Sequence, residues 1–267
     1  MANMAVSAKD IRVAPIAPKI AHYFVQRYHY SGKTVNNSQL HFGIWLGTVL
    51  IGVMQFGPSL DKSKLIGLVS GTRWNEFLEL NRMACVDDTP KNTESRALAI
   101  AMRLMRQHYP YVQWIISFAD ATQCGDGTIY RASGFVLTGI KRNTQVWSLP
   151  DQSVFLRLVA TDTRRPARQR LLSRISVTKG EHIRDTGAAS MRPFIDAGAK
   201  LLSGYQLRYI YFLDPSARDR LTVPMIPFSY IKECGASMYK GKRVKDSSEP
   251  LANHAREGGA APTHTLH

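Results

Sequence analysis

The spacing of apolar residues divides the chain into recognisable elements. Between Ala17 and Tyr30, Ile20, Phe24 and Tyr28 recur every four residues with Val25 beside them, predicting an amphipathic helix that Ser31-Gly32 ends. Two apolar runs, Leu40 to Leu46 and Val49 to Phe56, joined through Gly47-Thr48, predict a β-hairpin closed by Pro58. A strand is expected over Phe77 to Val86, a loop over Asp87 to Asn92, and a helix over Thr93 to Arg106. In that helix Ala97, Ala101, Leu104 and Met105 share a face that Arg96, Arg103 and Arg106 avoid. Tyr111 to Ala119 is apolar on both faces, as a central strand should be. A Gly-rich loop, Gln123 to Gly127, then leads to a short helix, Thr128 to Ser133, and strands at Phe135 to Lys141 and Val154 to Val159. Leu207 to Leu213 is one more strand, followed by an apolar piece from Leu221 to Ile231. Strands alternating with helices after a hairpin predict a mixed central sheet flanked by helices.

Composition sharpens this division. A chain of 267 residues, 44% of them hydrophobic, can bury its own core. It has no apolar run of about 18 residues and no secretory leader pattern, so a cytoplasmic protein with no membrane partner is expected. Cys85, Cys124 and Cys234 are widely spaced and form no metal or disulfide framework; inert reduced thiols are expected. The net charge is +15, which favours a polyanionic partner. From Thr161 the pattern fades into a basic extension holding Arg164, Arg165, Arg168, Arg170 and Arg174 with a single aspartate. It is either a solvated helix or a nucleic-acid contact. The expected organisation is an N-terminal arm over 1–16, a catalytic core over 17–160, a basic segment and C-terminal strand region over 161–239, and a disordered tail over 240–267.

In open α/β sheets ligands bind beyond the carboxyl ends of the parallel strands. That rule selects the loops after Val86 and Ala119, and with them Glu94 and Asp120 as two carboxylates at one crevice. Each also has a purely structural role available: Glu94 would complement the helix dipole, and Asp120 would accept turn N–H groups. Simple alternation puts Arg82 on the apolar face of Leu78, Leu80 and Ala84, where a guanidinium needs a carboxylate or an anionic ligand. Tyr130 is either a general acid or a packed ring. His29, just before Tyr30 and the Ser-Gly turn, is either a helix cap or a base or metal ligand.

The strings Tyr28-His29-Tyr30-Ser31-Gly32, Leu78-Glu79-Leu80-Asn81-Arg82-Met83, Pro90-Lys91-Asn92-Thr93-Glu94-Ser95, Ser117-Phe118-Ala119-Asp120 and Gly127-Thr128-Ile129-Tyr130-Arg131-Ala132-Ser133 occur in that order. Together they resemble the Mom family of Mu-like bacteriophages, over roughly Ala21 to Val159 and more weakly near Tyr209 to Ile231. The resemblance implies an α/β fold of the GNAT (acetyltransferase) type with the basic C-terminal extension added. It implies transfer of a carbamoylmethyl group to N6 of adenine in double-stranded phage DNA, protecting it from host restriction. His29, Tyr30, Arg82, Glu94, Asp120 and Tyr130 would be catalytic, and Asn92, Ser95 and Ser117 would contact substrate. Acetyl-CoA or a related activated donor follows from the fold, and iron has been proposed for the family. However, the usual Gly-rich pyrophosphate loop is replaced here by Thr89-Pro90-Lys91-Asn92-Thr93-Glu94. Two other readings stay open: an acyltransferase for a small-molecule or protein amine, and a noncatalytic DNA-binding protein. Oligomeric state is not legible.

Overall fold

The computed structural model describes residues 7–239 apart from 165, 181, 184 and 186, together with 242 and 243. Arg165 and nearly all of the tail expected over 240–267 lie outside the described residues.

Within the stretch expected as an arm, residues 11–15 form a strand. In β1 (Ile11–Pro15), Ile11 and Val13 are buried while Arg12 points out, a two-residue alternation too short to stand out in the sequence. Helix α1 (Pro18–Tyr28) starts on a proline, whose missing N–H costs nothing in a first turn. The hairpin forms as expected from β2 (Leu40–Leu46) and β3 (Val49–Gly57), turned by Gly47 at φ +58°. A one-turn helix α2 (Lys62–Leu65) precedes β4 (Phe77–Cys85), and α3 (Thr93–His108) follows it. Strand β5 (Trp114–Asp120), short helix α4 (Thr128–Ala132) and β6 (Val136–Arg142) come next. Strand β10 (Tyr205–Phe212) enters later, between β5 and β6, giving the order β1-β2-β3-β4-β5-β10-β6. Among its neighbour pairs only β4 and β5 are parallel.

The sheet is covered on both faces. On one, Ala97, Leu98, Ala101, Met102 and Met105 of α3 pack on Leu78, Ile115 and Leu207. On the other, Phe24 and Val25 of α1 meet Val53 and Ala84, while Phe77 stacks on Trp114 at 4.2 Å. Among the described residues no helix is long and apolar enough to cross a membrane.

Between β6 and β10 the chain builds an annex with its own small core. It contains β7 (Val146–Ser148), β8 (Val154–Leu156), α5 (Arg157–Thr161), α6 (Pro166–Lys179), α7 (Arg192–Asp196) and β9 (Lys200–Leu201). The strand expected over Val154 to Val159 therefore turns helical at Arg157. The basic segment is a helix whose Leu172 and Ile175 are buried against Phe155 and Phe194. The C-terminal part adds α8 (Ser229–Glu233) and a small hairpin of β11 (Met238–Tyr239) and β12 (Lys242–Arg243).

Arg168 overturns its assignment as a DNA contact. Its side chain is fully buried, bonded to Asp185 at 2.9 Å and to the carbonyls of Ala160 and Ala188, with the Phe194 ring beneath. A guanidinium so enclosed serves the annex core, because an unpaired charge there would be costly. It holds the Asp185 carboxyl down at about 2. Because that value lies below the ordinary one, the ion pair adds stability above the usual carboxylate range and loses it as pH falls towards 2. Asp185→Asn should therefore lower the thermal midpoint at pH 5 and above, with the gap to wild type closing as pH approaches 2. An equal gap at both ends of that range would contradict the assignment. Arg164 and Arg170 are exposed, Arg164 facing Asp162 at 3.4 Å, and Arg174 is paired with Asp151 at 2.7 Å.

Candidate active site

Strands β4 and β5 pair only where Phe77–Glu79 meets Trp114–Ile116. Beyond that point β4 stays with β3 and β5 stays with β10, so the two part and leave a notch at their carboxyl ends. A bulge at Asn81 shapes the notch. Phe56 pairs with Leu80 and the adjacent Gln55 pairs with Arg82, leaving Asn81 as the extra residue. Its side chain is pinned by the Ser38 hydroxyl at 2.9 Å. The bulge corrects the simple alternation: Leu78 and Leu80 face α3, whereas Arg82 joins Ala84 on the face towards α1.

Arg82 donates to two main-chain carbonyls, Nε to Lys33 at 2.9 Å and Nη1 to Asn81 at 2.6 Å, rather than to a carboxylate. Among the described residues no carboxylate forms the structural ion pair weighed for it. Burial lowers its pKa, with Tyr30 and Glu79 close enough to pull it back up.

The loops after β4 and β5 leave the same end of the sheet. Glu94 sits in the first turn of α3, half-buried, and burial raises its pKa. Asp120, at the end of β5, accepts from Thr122 N–H at 2.9 Å and from the Gln123 side chain at 2.9 Å. Its turn-holding role is thus real, and both of its oxygens are engaged. Tyr130 is buried against Phe135 and Tyr209, with ring centroids at 5.3 and 5.2 Å. Its hydroxyl is pushed up to about 12, chiefly by burial, with Glu94 and Glu79 adding to the effect. Ser117, fully buried, approaches that hydroxyl without closing a good hydrogen bond and favours its ionisation slightly. Tyr30 keeps 51% of its surface accessible at the rim. The crowded crevice, then Asp120, raises its hydroxyl above its ordinary value.

His29 is neutral: burial, then Arg82, pushes it down to about 4. Its Nδ1 accepts the Ser31 N–H at 3.2 Å and lies 2.8 Å from the Ser31 hydroxyl, which places the ring proton on Nε2. Its Nδ1 lone pair is thereby engaged, and Nε2 presents a donor to its surroundings. Among the described residues no three His, Cys, Asp or Glu side chains gather closely enough to hold a metal ion, so the iron expectation finds no ligand set there.

Asn92 caps α3 in the left-handed region at φ +69°, and its carbonyl accepts the Ser95 hydroxyl at 3.2 Å. Ser95 is thereby committed to the helix start. The same turn does not fit a coenzyme A pyrophosphate. The Thr93 N–H is taken by the Pro90 carbonyl at 3.1 Å, no glycine opens the backbone, and a Glu94 carboxylate in the first helical turn would repel phosphates.

Sequence reasoning missed two features. Glu79, a lone acid between Leu78 and Leu80, is half-buried at the point where the strands part. Burial raises its pKa, while Ser59, Arg82 and Asn81 lower it. Its signal was an acidic residue in an otherwise apolar strand. The second is the support under α4. The Tyr209 hydroxyl donates to the Asp126 carbonyl at 2.6 Å, and Arg131 pairs with the Asp126 carboxylate at 3.1 Å. These groups lie on separate elements, and no spacing rule links them. Cys85 is held as a thiol, pushed up to about 12 mainly by burial, as its inert reading requires.

A mixed sheet whose parallel pair splays around a notch, with the main helix springing from the first of those strands, defines the acetyltransferase type of α/β fold. A sequence profile of the Mom protein family matches residues 10–230, and the chain belongs to that family. It is 41% identical over 138 residues to the methylcarbamoylase Mom of Escherichia phage Mu, a stretch covering 51% of this chain and 57% of the relative. The chain thus spans little more than half of that relative's length. Solved structures that align with it include a Bacillus subtilis acetyltransferase in complex with CoA, at 9% identity, TM-score 0.37, 76% of this chain and 97% of the other. Another is the ribosomal-protein-S18-alanine N-acetyltransferase of Escherichia coli, at 13% identity, TM-score 0.37, 54% and 88%. Alignments this loose say nothing about activity.

Proposed function

We propose that the protein is a phage DNA-modifying transferase that places a carbamoylmethyl group on N6 of adenine, shielding the DNA from restriction. The observation that carries this reading is the notch between β4 and β5. There a carboxyl with a raised pKa, Glu94, stands with Arg82, Glu79, Tyr130 and Tyr30, in a chain of the Mom family.

The exocyclic amine of adenine is a weak nucleophile because its lone pair is delocalised into the ring. As N6 bonds to the donor carbon and the leaving group departs with its electron pair, the N6 proton must go to a base. Glu94 takes it; a base whose pKa is shifted towards neutrality suits proton transfer at physiological pH. Asp120, with both oxygens engaged, holds the loop that frames the site. Arg82 and the neutral Tyr130 hydroxyl stabilise the negative charge that develops on the donor. Tyr30, half-exposed at the rim, stacks on an adenine flipped from the duplex, since N6 cannot be reached inside the stack. The net charge of +15 grips the backbone, and Arg164, Arg170 and Arg174 on the annex contribute to that field. The donor is an activated small molecule held without a pyrophosphate cradle at α3.

Nucleoside mass spectrometry on DNA from cells making the protein tests this. A new adenosine species is expected, absent when Arg82→Gln replaces the wild type. Carbamoylmethyl and methylcarbamoyl adducts are isomers of equal mass, so fragmentation must identify the group. DNA left unmodified in cells, and also in lysate from phage-infected cells, would favour an acyltransferase acting on a small or protein amine.

A further inference from the structure

A second feature lies outside the notch. Along the sheet edge, β1 and α3 enclose a groove of about 440 Å³. Ile11, Val13, Ile100 and Leu104 form its apolar floor, and Arg12, Arg96 and Arg103 stand along its walls. All three arginines are exposed. Arg12 lies over the neutral Trp45 ring at 5.5 Å, and Arg96 reaches the Lys9 carbonyl at 3.4 Å. Beside Arg12 in the chain, Asp10 accepts the Ser7 N–H at 2.9 Å.

The groove opens at the active end of the sheet. Ile11 pairs with Leu46 and Leu46 with Val49, while Cys85, the last residue of β4, pairs with Gly52 close by. Three strand spacings separate β1 from β4, roughly 14 Å. Arg96 is two residues from Glu94 on the same helix, and Arg103 lies seven residues further on, about 10 Å along the axis. Arg96 and Arg103 are therefore strung along α3 in a line that leads away from the notch, instead of converging on a point as they would for a small anion. Duplex DNA carries about one charge per 1.7 Å of its axis, so such a line meets several phosphates. The apolar floor suits the C–H faces of the intervening sugars.

We infer that the groove between β1 and α3 is the track that holds the DNA backbone beside the base being modified. The inference rests on the DNA-modifying reading above and adds where the duplex lies. The annex with α6 follows β6, on the opposite edge of the sheet, so the two basic surfaces flank the notch from different sides.

The test is duplex affinity, by fluorescence anisotropy, across a salt series. The triple variant Arg12→Gln, Arg96→Gln, Arg103→Gln is compared with a charge-matched triple of exposed residues off both the groove and the annex, Lys19→Gln, Lys64→Gln, Arg218→Gln. Losing three phosphate contacts should flatten the slope of log affinity against log salt by about 2.7, at about 0.9 per contact. The control triple should keep the wild-type slope. Arg103→Glu alone, an exposed change to a good helix former, should flatten the slope without touching the fold. If wild type binds and modifies DNA while the groove triple keeps its slope, or both triples lose slope equally, the track is wrong and the DNA reading stands. If wild type neither binds duplex nor modifies it, the DNA reading fails and the track fails with it.

Discussion

Replacing Glu94 by glutamine should lower the rate of DNA modification by about 10²- to 10⁴-fold, the usual contribution of a positioned general base. Duplex affinity should stay near wild type, because the carboxyl meets the amine and not the backbone. Burial raises the Glu94 pKa, and no neighbour opposes the shift. As the base it must be ionised, so wild-type activity should fall as pH drops through that raised value and level off above it. The variant should lose this limb of the profile along with its rate. Stability should move the other way. A buried acid with a raised pKa destabilises the fold once ionised, so Glu94→Gln should be as stable as wild type or more so at neutral pH. Lost activity with a lower thermal midpoint would instead assign Glu94 to structure. Asp120→Asn is a useful contrast: the Asp120 carboxylate holds Thr122 and Gln123, so its loss should loosen the loop and reduce stability together with rate.

Gly127→Ala should be a strongly damaging single-methyl change. Gly127 lies at φ +87°, and an added Cβ would sit 2.5 Å from a ring carbon of Tyr209 and 3.0 Å from the Ala119 side chain. Tyr209 cannot swing aside: it is fully buried, and its hydroxyl is fixed to the Asp126 carbonyl. Left-handed strain costs about 1–2 kcal/mol and overpacking about 1–3 kcal/mol, so a loss of about 2–5 kcal/mol is expected from urea unfolding. Gly47→Ala separates the two effects. Gly47 also has a positive φ, +58°, but nothing within 4 Å of its added Cβ, so strain alone should remain. Because Gly127 caps the helix that carries Tyr130, its variant should also modify DNA poorly even where folded, while Gly47→Ala should work normally. Equal stability losses in the two variants would mean that the Tyr209 contact is relieved at little cost.

Much of the frame was legible because it is local. The hairpin ends at Leu46 and begins again at Val49 as its apolar runs require, and α3 buries Ala97, Ala101 and Met105 as its spacing requires. Once β4 and β5 are recognised as neighbours, the loops that follow them must share one end of the sheet. Hence Glu94 and Asp120 could be assigned to one end of the sheet from the sequence. What failed was whatever depends on a partner distant in the chain. The edge strand at Ile11–Pro15 exists because β2 offers an open side. The segment around Arg168 gains its core only from Phe155 and Phe194, so its own periodicity was too weak to read.

The sequence by itself thus determined the family resemblance, the order of elements and the end of the sheet where chemistry gathers, since side-chain period and chain order suffice for all three. The tertiary structure alone decided the rest. The Asn81 bulge turned Arg82 to the other face, the Ser31 N–H fixed which nitrogen of His29 carries its proton, and Thr122 and Gln123 engaged Asp120 while burial raised Glu94. Register, hydrogen-bond partners and desolvation are properties of neighbours in space, and residues far apart in the chain supply them.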